Sequence, residues 1–189
     1  MKEDNREIEA KFPIDSINDY LPKIDAAGAV CEQPTRFERN LRFDDKNGSL
    51  TRTSQVLRLR DNGGNAILTY KSDKNSTTGL ADREEIETGV DDFERTRLIL
   101  ERLGFEIVFI YEKYRSIYSL GQTGIFVDHT PIGDFIEIEG PDEETIRITA
   151  ESIGLGWETR SGKGYRALFN KWKKDSGFPG RDMTFKSDE

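Results

Sequence analysis

Acidic and basic side chains alternate with apolar ones in a short segment near the start of the chain. In Arg6–Phe12, apolar residues separate Glu7, Glu9 and Lys11 from one another. Residues two apart in an extended strand point to the same face, so two carboxylates and one ammonium group share a face. Carboxylates bind hard divalent cations such as Mg²⁺, and lysine and arginine bind phosphate oxygens. The segment predicts a site for a metal ion and a phosphorylated ligand together.

The same alternation recurs in later segments, each of which places charged side chains on one face. These faces carry Arg58 and Arg60; Thr69 and Lys71; Arg83, Glu85 and Glu87; Lys113 and Arg115; Asp128; and Glu137 and Glu139. A half-solvated antiparallel sheet shows this pattern too, with its charges in water. Like charges that face each other on a sheet, however, are destabilising. Their accumulation favours a sheet that curls into a barrel, where basic side chains meet phosphate oxygens and acidic ones meet metal.

Eight candidate strands carry these faces. They are Arg6–Phe12, Asn40–Asp44, Val56–Arg60, Ile67–Lys71, Arg83–Thr88, Tyr111–Tyr118, Ile125–His129 and Phe135–Glu139. Segments rich in Gly, Asn, Asp and Ser separate most of them, including Asp44–Ser49 and Ser72–Gly79. Connections of this length and composition are typical of hairpins, so the strands are expected to pair antiparallel.

Helical periodicity interrupts the strands. The predicted helices are Ser16–Ala27, Asp92–Leu103, Asp142–Ile153 and Tyr165–Lys174, and Gly28, Gly104 and Gly154 follow the first three. Pro22 is expected to kink or shorten the first helix. The chain is predicted to be an α+β protein, mainly antiparallel β, with helices packed outside the barrel. A single domain is expected over residues 1–175, followed by an irregular tail over 176–189 in which Met183 and Phe185 contact the body.

Bulk composition limits the partners and the location. Of 189 residues, 34% are hydrophobic and 34% are charged, with a net charge of −8, so either much of the chain is solvated or its interior is polar. The negative charge argues against a nucleic-acid partner, although a local basic cluster still attracts a small polyanion. Cys31 is the single cysteine, which excludes an intrachain disulfide and a thiolate zinc site and predicts a small packed residue. The polar start and the lack of a long apolar run predict a cytoplasmic protein with no membrane partner.

The order of the charged motifs resembles a known family. The run Glu7-Ile8-Glu9-Ala10-Lys11 resembles the Glu-x-Glu-x-Lys motif of the CYTH proteins, the triphosphate tunnel metalloenzymes, which include class IV adenylate cyclases, thiamine triphosphatases and inorganic triphosphatases. Further motifs follow in the family's order: VLRLR at 56–60, LTYK at 68–71, REEIE at 83–87, EKYR at 112–115, VDHTPIGDFIEIEG at 127–140 and KGYRAL at 163–168. Together they extend over about residues 6–170.

The resemblance implies an eight-stranded closed β-barrel, the triphosphate tunnel, and a role for each matching residue. The implied metal ligands, for one or two Mg²⁺ or Mn²⁺ ions, are Glu7, Glu9, Glu85, Glu87, Asp128, Glu137 and Glu139. The implied substrate-binding residues are Lys11, Arg58, Arg60, Lys71, Arg83, Lys113, Arg115 and Lys163. The implied catalytic residues are Glu7, Glu9, Lys11 and Lys71. Lys163 and Tyr165 match positions on a lid-like C-terminal helix.

One segment departs from the family's pattern. Where many members read Asp-x-Tyr-Phe-Asp, this chain reads Asn40-Leu41-Arg42-Phe43-Asp44. Either Arg39 or Arg42 is therefore a candidate for an additional phosphate contact. His129 follows Asp128, but strand alternation points it to the opposite face, which favours a structural role over that of a general base.

Three functions remain open at the level of sequence. The first is a metal-dependent triphosphatase that acts on inorganic tripolyphosphate, a nucleoside triphosphate or thiamine triphosphate. The second is a class IV adenylate cyclase, which converts ATP to cyclic AMP and pyrophosphate. The third is a non-catalytic polyphosphate- or nucleotide-binding module. In each, the partner is a small triphosphate compound, and the protein is a monomer or homodimer.

Overall fold

A computed structural model describes residues 5–72 and 79–185. Its eight strands are β1 Arg6–Ile14, β2 Val30–Asp45, β3 Val56–Asp61, β4 Ala66–Lys71, β5 Ala81–Val90, β6 Phe105–Leu120, β7 Thr123–Thr130 and β8 Gly133–Glu139. All pair antiparallel, in the order β1-β5-β4-β3-β2-β6-β7-β8, and β8 pairs with β1 to close the barrel. The predicted strands and fold class are confirmed.

Strands β2 and β6 are longer than the alternation predicts, with 16 residues each. The first half of β2 is mostly exposed, and backbone pairing to β6 holds it, with register shifts around Pro34. Because this part buries no apolar face, hydrophobic periodicity does not reveal it.

The helices are α1 Leu21–Ala26, α2 Ser49–Arg52, α3 Phe93–Arg102, α4 Glu143–Ser152 and α5 Tyr165–Ser176, with 3-10 turns at Ile17–Asp19 and Trp157–Thr159. The first predicted helix is split, since Pro22 lies in the first turn of α1, where it loses no hydrogen bond. Most of the predicted loop Ser72–Gly79 lies outside the described residues. Within the described residues, no helix has the length and apolarity needed to cross a membrane.

The short helix α2 was not predicted. The buried carboxylate of Asp44 accepts hydrogen bonds from the backbone nitrogens of Leu50 and Thr51 at 3.0 and 2.9 Å, and from the Thr51 hydroxyl. These contacts satisfy amide groups that the first turn of a helix leaves unpaired. A side chain from the end of β2 therefore organises the segment that follows it.

The largest apolar core lies outside the barrel wall. The outward residues of β1, β7 and β8 pack with α1 and α4, through Ile8, Ala10, Phe12, Ile24, Ile125, Val127, Ile136, Ile138, Ile146, Ala150 and Ile153. A smaller cluster joins Leu41, Phe43 and Leu59 to Leu100 of α3. Burial of each large apolar side chain contributes about 1.5–3 kcal/mol. This outer packing stabilises the sheet and leaves the barrel interior to charged side chains.

The C-terminal segment packs against the same end of the barrel as α5. Met183 is buried, and its backbone pairs with β6 through Ile110 and Glu112, each at 2.9 Å. The Phe185 ring lies 5.5 Å from His129 and 5.2 Å from Tyr114. Met183 and Phe185 thus contact the body as the sequence predicts.

Candidate functional site

The strand register brings opposite charges together inside the barrel. Glu7 pairs with Arg83, Lys11 with Glu137, and Lys71 with Glu85. Directly paired residues share a face, and this face is the interior, where Lys11 and Lys113 are only 2% and 1% exposed. The prediction of a charged barrel interior is confirmed.

A cavity of about 370 Å³ occupies part of this interior, beside α2 and α5. Nine basic side chains among the described residues line it: Lys11, Arg42, Arg58, Lys71, Arg83, Lys113, Arg115, Lys163 and Arg166. Only two acidic side chains of the described chain do so, Glu9 and Glu137. The cavity is therefore strongly positive within a chain of net charge −8.

One wall of the cavity is built around Lys71. Its Nζ lies 2.7 Å from Glu7 and 3.0 Å from Glu85, and Arg83 Nε lies 3.4 Å from Glu7. Burial acts to raise the pKa of Glu7, but Lys71 and Arg83 outweigh it and lower this pKa to about 2. For Glu85, burial and the nearby carboxylates prevail over Lys71 and raise the pKa to about 7. Glu7 thus serves as the ionised partner that orients Lys71.

The neighbouring wall holds the two arginines of β3. Arg58 Nη2 lies 3.1 Å from both Glu87 and the Thr69 hydroxyl, and Arg60 lies 3.5 Å from Glu87. Arg58 lines the cavity, whereas Arg60, one step further along the same face, does not. Of this predicted pair, only Arg58 is placed to contact a ligand in the cavity.

Asp128 is completely buried and accepts four hydrogen bonds. Arg115 donates two bonds to it, both at 2.6 Å, Lys113 donates one at 3.1 Å, and the Tyr165 hydroxyl donates another. Burial opposes ionisation, but Arg115 and Lys113 keep the pKa of Asp128 below its usual value. Three of these four bonds end on Oδ2 and one on Oδ1, so three different side chains engage the carboxylate. It positions Arg115, Lys113 and Tyr165.

Glu9 and Glu137 face the cavity beside Lys11. Lys11 Nζ lies 2.8 Å from Glu137 and 3.9 Å from Glu9, and Arg115 Nη2 lies 2.8 Å from Glu137. Burial acts to raise the pKa of Glu137, but Arg115, Lys11 and Lys113 hold it well below the usual range. For Glu9, burial raises the pKa to about 7, and the adjacent Glu137 and Glu7 carboxylates reinforce the effect. Negative charge at Glu9 is thus incompletely compensated by the protein.

Glu9 and Glu137 fit a divalent cation better than the other predicted metal ligands do. Mg²⁺ is usually bound through one or two carboxylates together with substrate phosphates, and Glu9 and Glu137 meet that description. Over residues 5–72 and 79–185, no group of three or more Asp, Glu, His or Cys side chains is arranged so that it could hold a metal ion by itself. Glu9 and Glu137 line the cavity, whereas Glu7, Glu85 and Glu87, which contact Lys71 or Arg58, do not.

Glu139 lies on the inner face of β8, as Glu137 does, but at a different position along the barrel axis. It lines a second cavity of about 480 Å³, together with Arg6, Glu32 and Phe126. The Phe126 ring centroid lies 4.6 Å from the guanidinium carbon of Arg115. Because Arg115 lines the first cavity and Phe126 the second, these side chains form part of the partition between the two.

Helix α5 contributes the last wall. Lys163 lines the cavity but precedes the helix, which begins at Tyr165, so its expected place on the helix is wrong. The Tyr165 ring lies 5.0 Å from Lys11 Nζ and 5.1 Å from Lys113 Nζ. Sequence reasoning missed Arg166 and Asn170, which also line the cavity. Arg166 and Asn170 are four residues apart and therefore lie on one face of the helix with each other, and this spacing is the sequence feature that could have indicated them.

Four other residues that the sequence singles out are placed clearly by the structure. Arg42 lines the cavity, whereas Arg39 is on the outer side, half exposed and 3.9 Å from Glu112. His129 faces outward, with Nδ1 2.7 Å from Asp134, as the alternation predicts. Cys31 is exposed, so its expected packing is wrong; it lies in the part of β2 that buries no apolar face.

Comparisons with known proteins agree with this architecture. A sequence model of the CYTH domain family matches residues 5–153. A Methanocaldococcus jannaschii protein named "Putative adenylate cyclase" is 33% identical over 137 residues, which are 70% of this chain and 75% of that protein.

Solved structures show the same fold. A protein of Pyrococcus horikoshii OT3 has a TM-score of 0.73 and 26% identity, covering 84% of this chain and 96% of that one. A Hippeastrum protein, named as an adenylyl cyclase and described as having a dominant triphosphatase activity, has a TM-score of 0.65 and 20% identity. That match covers 87% of this chain and 95% of the Hippeastrum chain.

Proposed function

The chain belongs to the CYTH domain family, and from this premise we propose that it is a metal-dependent phosphohydrolase that cleaves a triphosphate compound inside its barrel. The candidate substrates are inorganic tripolyphosphate, a nucleoside triphosphate and thiamine triphosphate. The dominant triphosphatase activity described for the Hippeastrum relative supports hydrolysis as the leading reaction.

The main support for this proposal is the positive charge of the cavity lining. Nine basic side chains and two acidic ones face the cavity among the described residues. A triphosphate has several negative charges, and phosphoryl transfer places further charge on its oxygens. Preorganised cations in a site shielded from water stabilise such charge more than solvent does. The lining thus suits both the substrate and its transition state.

Ion pairs inside the barrel hold these cations in position before substrate arrives. Glu7 orients Lys71, and Asp128 orients Arg115 and Lys113. Lys11, Arg58, Arg83 and Lys163 are the other predicted substrate-binding residues that line the cavity. Preorganisation of this kind reduces the loss of side-chain freedom when the ligand binds.

Glu9 and Glu137 are the residues that would hold the divalent cation, Mg²⁺ or Mn²⁺. Bound there, such an ion supplies charge neutralisation at the phosphoryl group and lowers the pKa of water for attack. Lys11, which contacts Glu137 and lies near Glu9, keeps the two carboxylates within the same part of the cavity. Glu7, Glu85 and Glu87 support the neighbouring Lys71 and Arg58.

A class IV adenylate cyclase is the second candidate. The observation in its favour is the name of the Methanocaldococcus jannaschii relative, which is 33% identical to this chain. The same cavity would bind ATP, and the ribose hydroxyl would replace water as the nucleophile. The lining alone does not separate the two reactions, because both require the same cations.

A substrate screen with product identification tests the proposal. Purified protein is incubated with tripolyphosphate, ATP or thiamine triphosphate, with Mg²⁺, Mn²⁺ or EDTA, and the products are separated by chromatography. We expect metal-dependent release of phosphate. Cyclic AMP and pyrophosphate from ATP would support the cyclase instead. Tight binding of tripolyphosphate by folded protein, with no turnover of any substrate, would overturn both enzymatic functions in favour of a binding module.

A further inference from the structure

Arg42 lies on the inner face of β2 at the end nearest α2. It pairs directly with Arg58 of β3 and with Phe109 of β6, and it lines the cavity. Asn40, two residues earlier on the same face, is completely buried, whereas Arg42 is partly exposed. Arg42 is therefore closer to the cavity mouth.

The described chain supplies no carboxylate partner to Arg42. Its Nε is buried without a hydrogen bond, as are the Nε atoms of Arg58 and Arg60, so the difference lies in the carboxylate contacts. Arg58, by contrast, contacts both Glu85 and Glu87. Burial lowers the pKa of Arg42 to about 10; the phenol of Tyr111 opposes this, while Arg166, Arg83 and Arg58 reinforce it. Since like charges directly opposite in a sheet are destabilising, the Arg42–Arg58 pair is costly unless an anion lies between or beside them.

Much of the remaining lining is polar, although Val56 and Ala167 also line the cavity. Thr51, Ser54 and Gln55 come from α2 and the loop after it, and Arg166 and Asn170 from α5. The cavity's two aromatic side chains already have partners. Tyr165 lies against Lys11 and Lys113, and Tyr111 is stacked on Phe109 with the ring centroids 5.6 Å apart. Both rings are also nearly buried, with 6% of Tyr111 and 7% of Tyr165 exposed, so the described lining offers mainly charge and hydrogen bonds to a ligand.

We propose that Arg42 determines substrate specificity by binding the terminal phosphate of an inorganic polyphosphate chain, a role that rests on the proposed phosphohydrolase function. Tripolyphosphate has a terminal phosphate at both ends, whereas a nucleoside triphosphate has one at one end only and an ester-linked phosphate at the other. The proposed contact is with the end that a nucleotide esterifies, where tripolyphosphate has one more ionisable oxygen. Arg42 and Arg166 match that additional charge. An arginine fork also suits the geometry of a terminal phosphate.

Binding measured by calorimetry in EDTA tests this role without turnover. We compare the wild-type protein with Arg42→Gln and with Arg39→Gln, a control on the outer side of the same strand. Loss of a charge-assisted hydrogen bond should weaken tripolyphosphate binding by roughly 10- to 100-fold in Arg42→Gln. ATP binding should weaken clearly less, and Arg39→Gln should bind both ligands as the wild type does.

Thermal unfolding separates this role from a structural one. Without ligand, Arg42→Gln should unfold at the wild-type temperature or above it, because the variant relieves repulsion with Arg58. Tripolyphosphate should then stabilise the variant less than it stabilises the wild type. A lower unliganded midpoint with an unchanged response to tripolyphosphate would show a structural residue and overturn the proposal.

The two proposals can fail separately. If Arg42→Gln binds tripolyphosphate as tightly as Arg39→Gln does, Arg42 has no part in specificity, whether or not the wild type is an enzyme. An equal loss for tripolyphosphate and ATP would also overturn selection for an unesterified chain. If the binding results hold but no substrate is hydrolysed, the ligand assignment stands and the phosphohydrolase function fails.

Discussion

Asp128→Asn is the substitution for which the structure makes the sharpest prediction about stability. The carboxylate is 0% exposed, and Arg115, Lys113 and Tyr165 donate four hydrogen bonds to it. Asparagine has almost the same shape, but it lacks the charge and directs an NH₂ group toward at least one of these donors. Arg115 keeps Glu137 as a partner at 2.8 Å, whereas Lys113 keeps only the longer contact to Glu38 at 3.7 Å.

Breaking a buried ion pair by removal of one partner costs about 3–5 kcal/mol. For a chain of this size, each kcal/mol lowers the midpoint of thermal unfolding by about 2–4 °C, so Asp128→Asn should unfold about 6–20 °C below the wild type. A saturating polyphosphate should restore part of this loss, because its oxygens replace the missing acceptor for Lys113 and Arg115.

Scanning calorimetry with and without tripolyphosphate measures both effects. Glu144→Gln is the matched control, since it removes one carboxylate from an exposed ion pair with Arg147, and exposed pairs contribute little. If Asp128→Asn unfolded at the same temperature as Glu144→Gln, the buried network around Asp128 would not hold the cavity wall, and the reasoning would be refuted.

Three further substitutions test other parts of the account. Asp44→Asn should cost about 1–3 kcal/mol at neutral pH, because its NH₂ group leaves at least one of the donors around this position without an acceptor. Burial acts to raise the pKa of Asp44, but the hydrogen bonds from Thr51 and Leu50 outweigh it and lower this pKa. The contribution of Asp44 to folding stability is therefore complete above the unfolded pKa of about 4 and falls at lower pH. Denaturant titrations in which the variant and the wild type differ equally at pH 7 and pH 3 would contradict this. Glu9→Ala should abolish metal-dependent turnover while tripolyphosphate still binds in EDTA, and wild-type turnover would remove Glu9 from the metal site. Arg58→Ala should raise KM for the substrate by roughly 10- to 100-fold, measured by steady-state kinetics, and an unchanged KM would exclude Arg58 from substrate binding.

Alternation along the strands was sufficient to predict which face of the barrel each charge occupies. Glu7, Glu9 and Lys11 point inward because residues two apart must share a face, and Ile8 and Phe12 point to the helices outside. Periodicity does not, however, determine the depth of a residue along the barrel axis. Depth depends on strand tilt and stagger, so Glu139 was grouped with Glu137 although it lines a different cavity.

Contacts between distant segments were also beyond the sequence pattern. The hydrogen bonds that Asp128 accepts come from Arg115 of β6 and Tyr165 of α5, among others, and no local spacing reveals them. Helix α2 forms because Asp44 caps it, and its four residues are too few to show helical periodicity. The partners in a salt-bridged interior are therefore harder to predict than the residues of an apolar core, because the register between strands decides which charged side chains meet.

Crystallographic localisation of both ligands shows directly whether the metal ion and the phosphate chain bind together inside the barrel. Crystals grown with Mn²⁺ and tripolyphosphate would be measured near the manganese absorption edge, so that anomalous scattering identifies the metal. We expect manganese beside Glu9 and Glu137, with the phosphate chain inside the barrel against Lys11, Arg58 and Lys113. Phosphate and metal bound only on the outer surface, with the interior ion pairs unchanged, would contradict it.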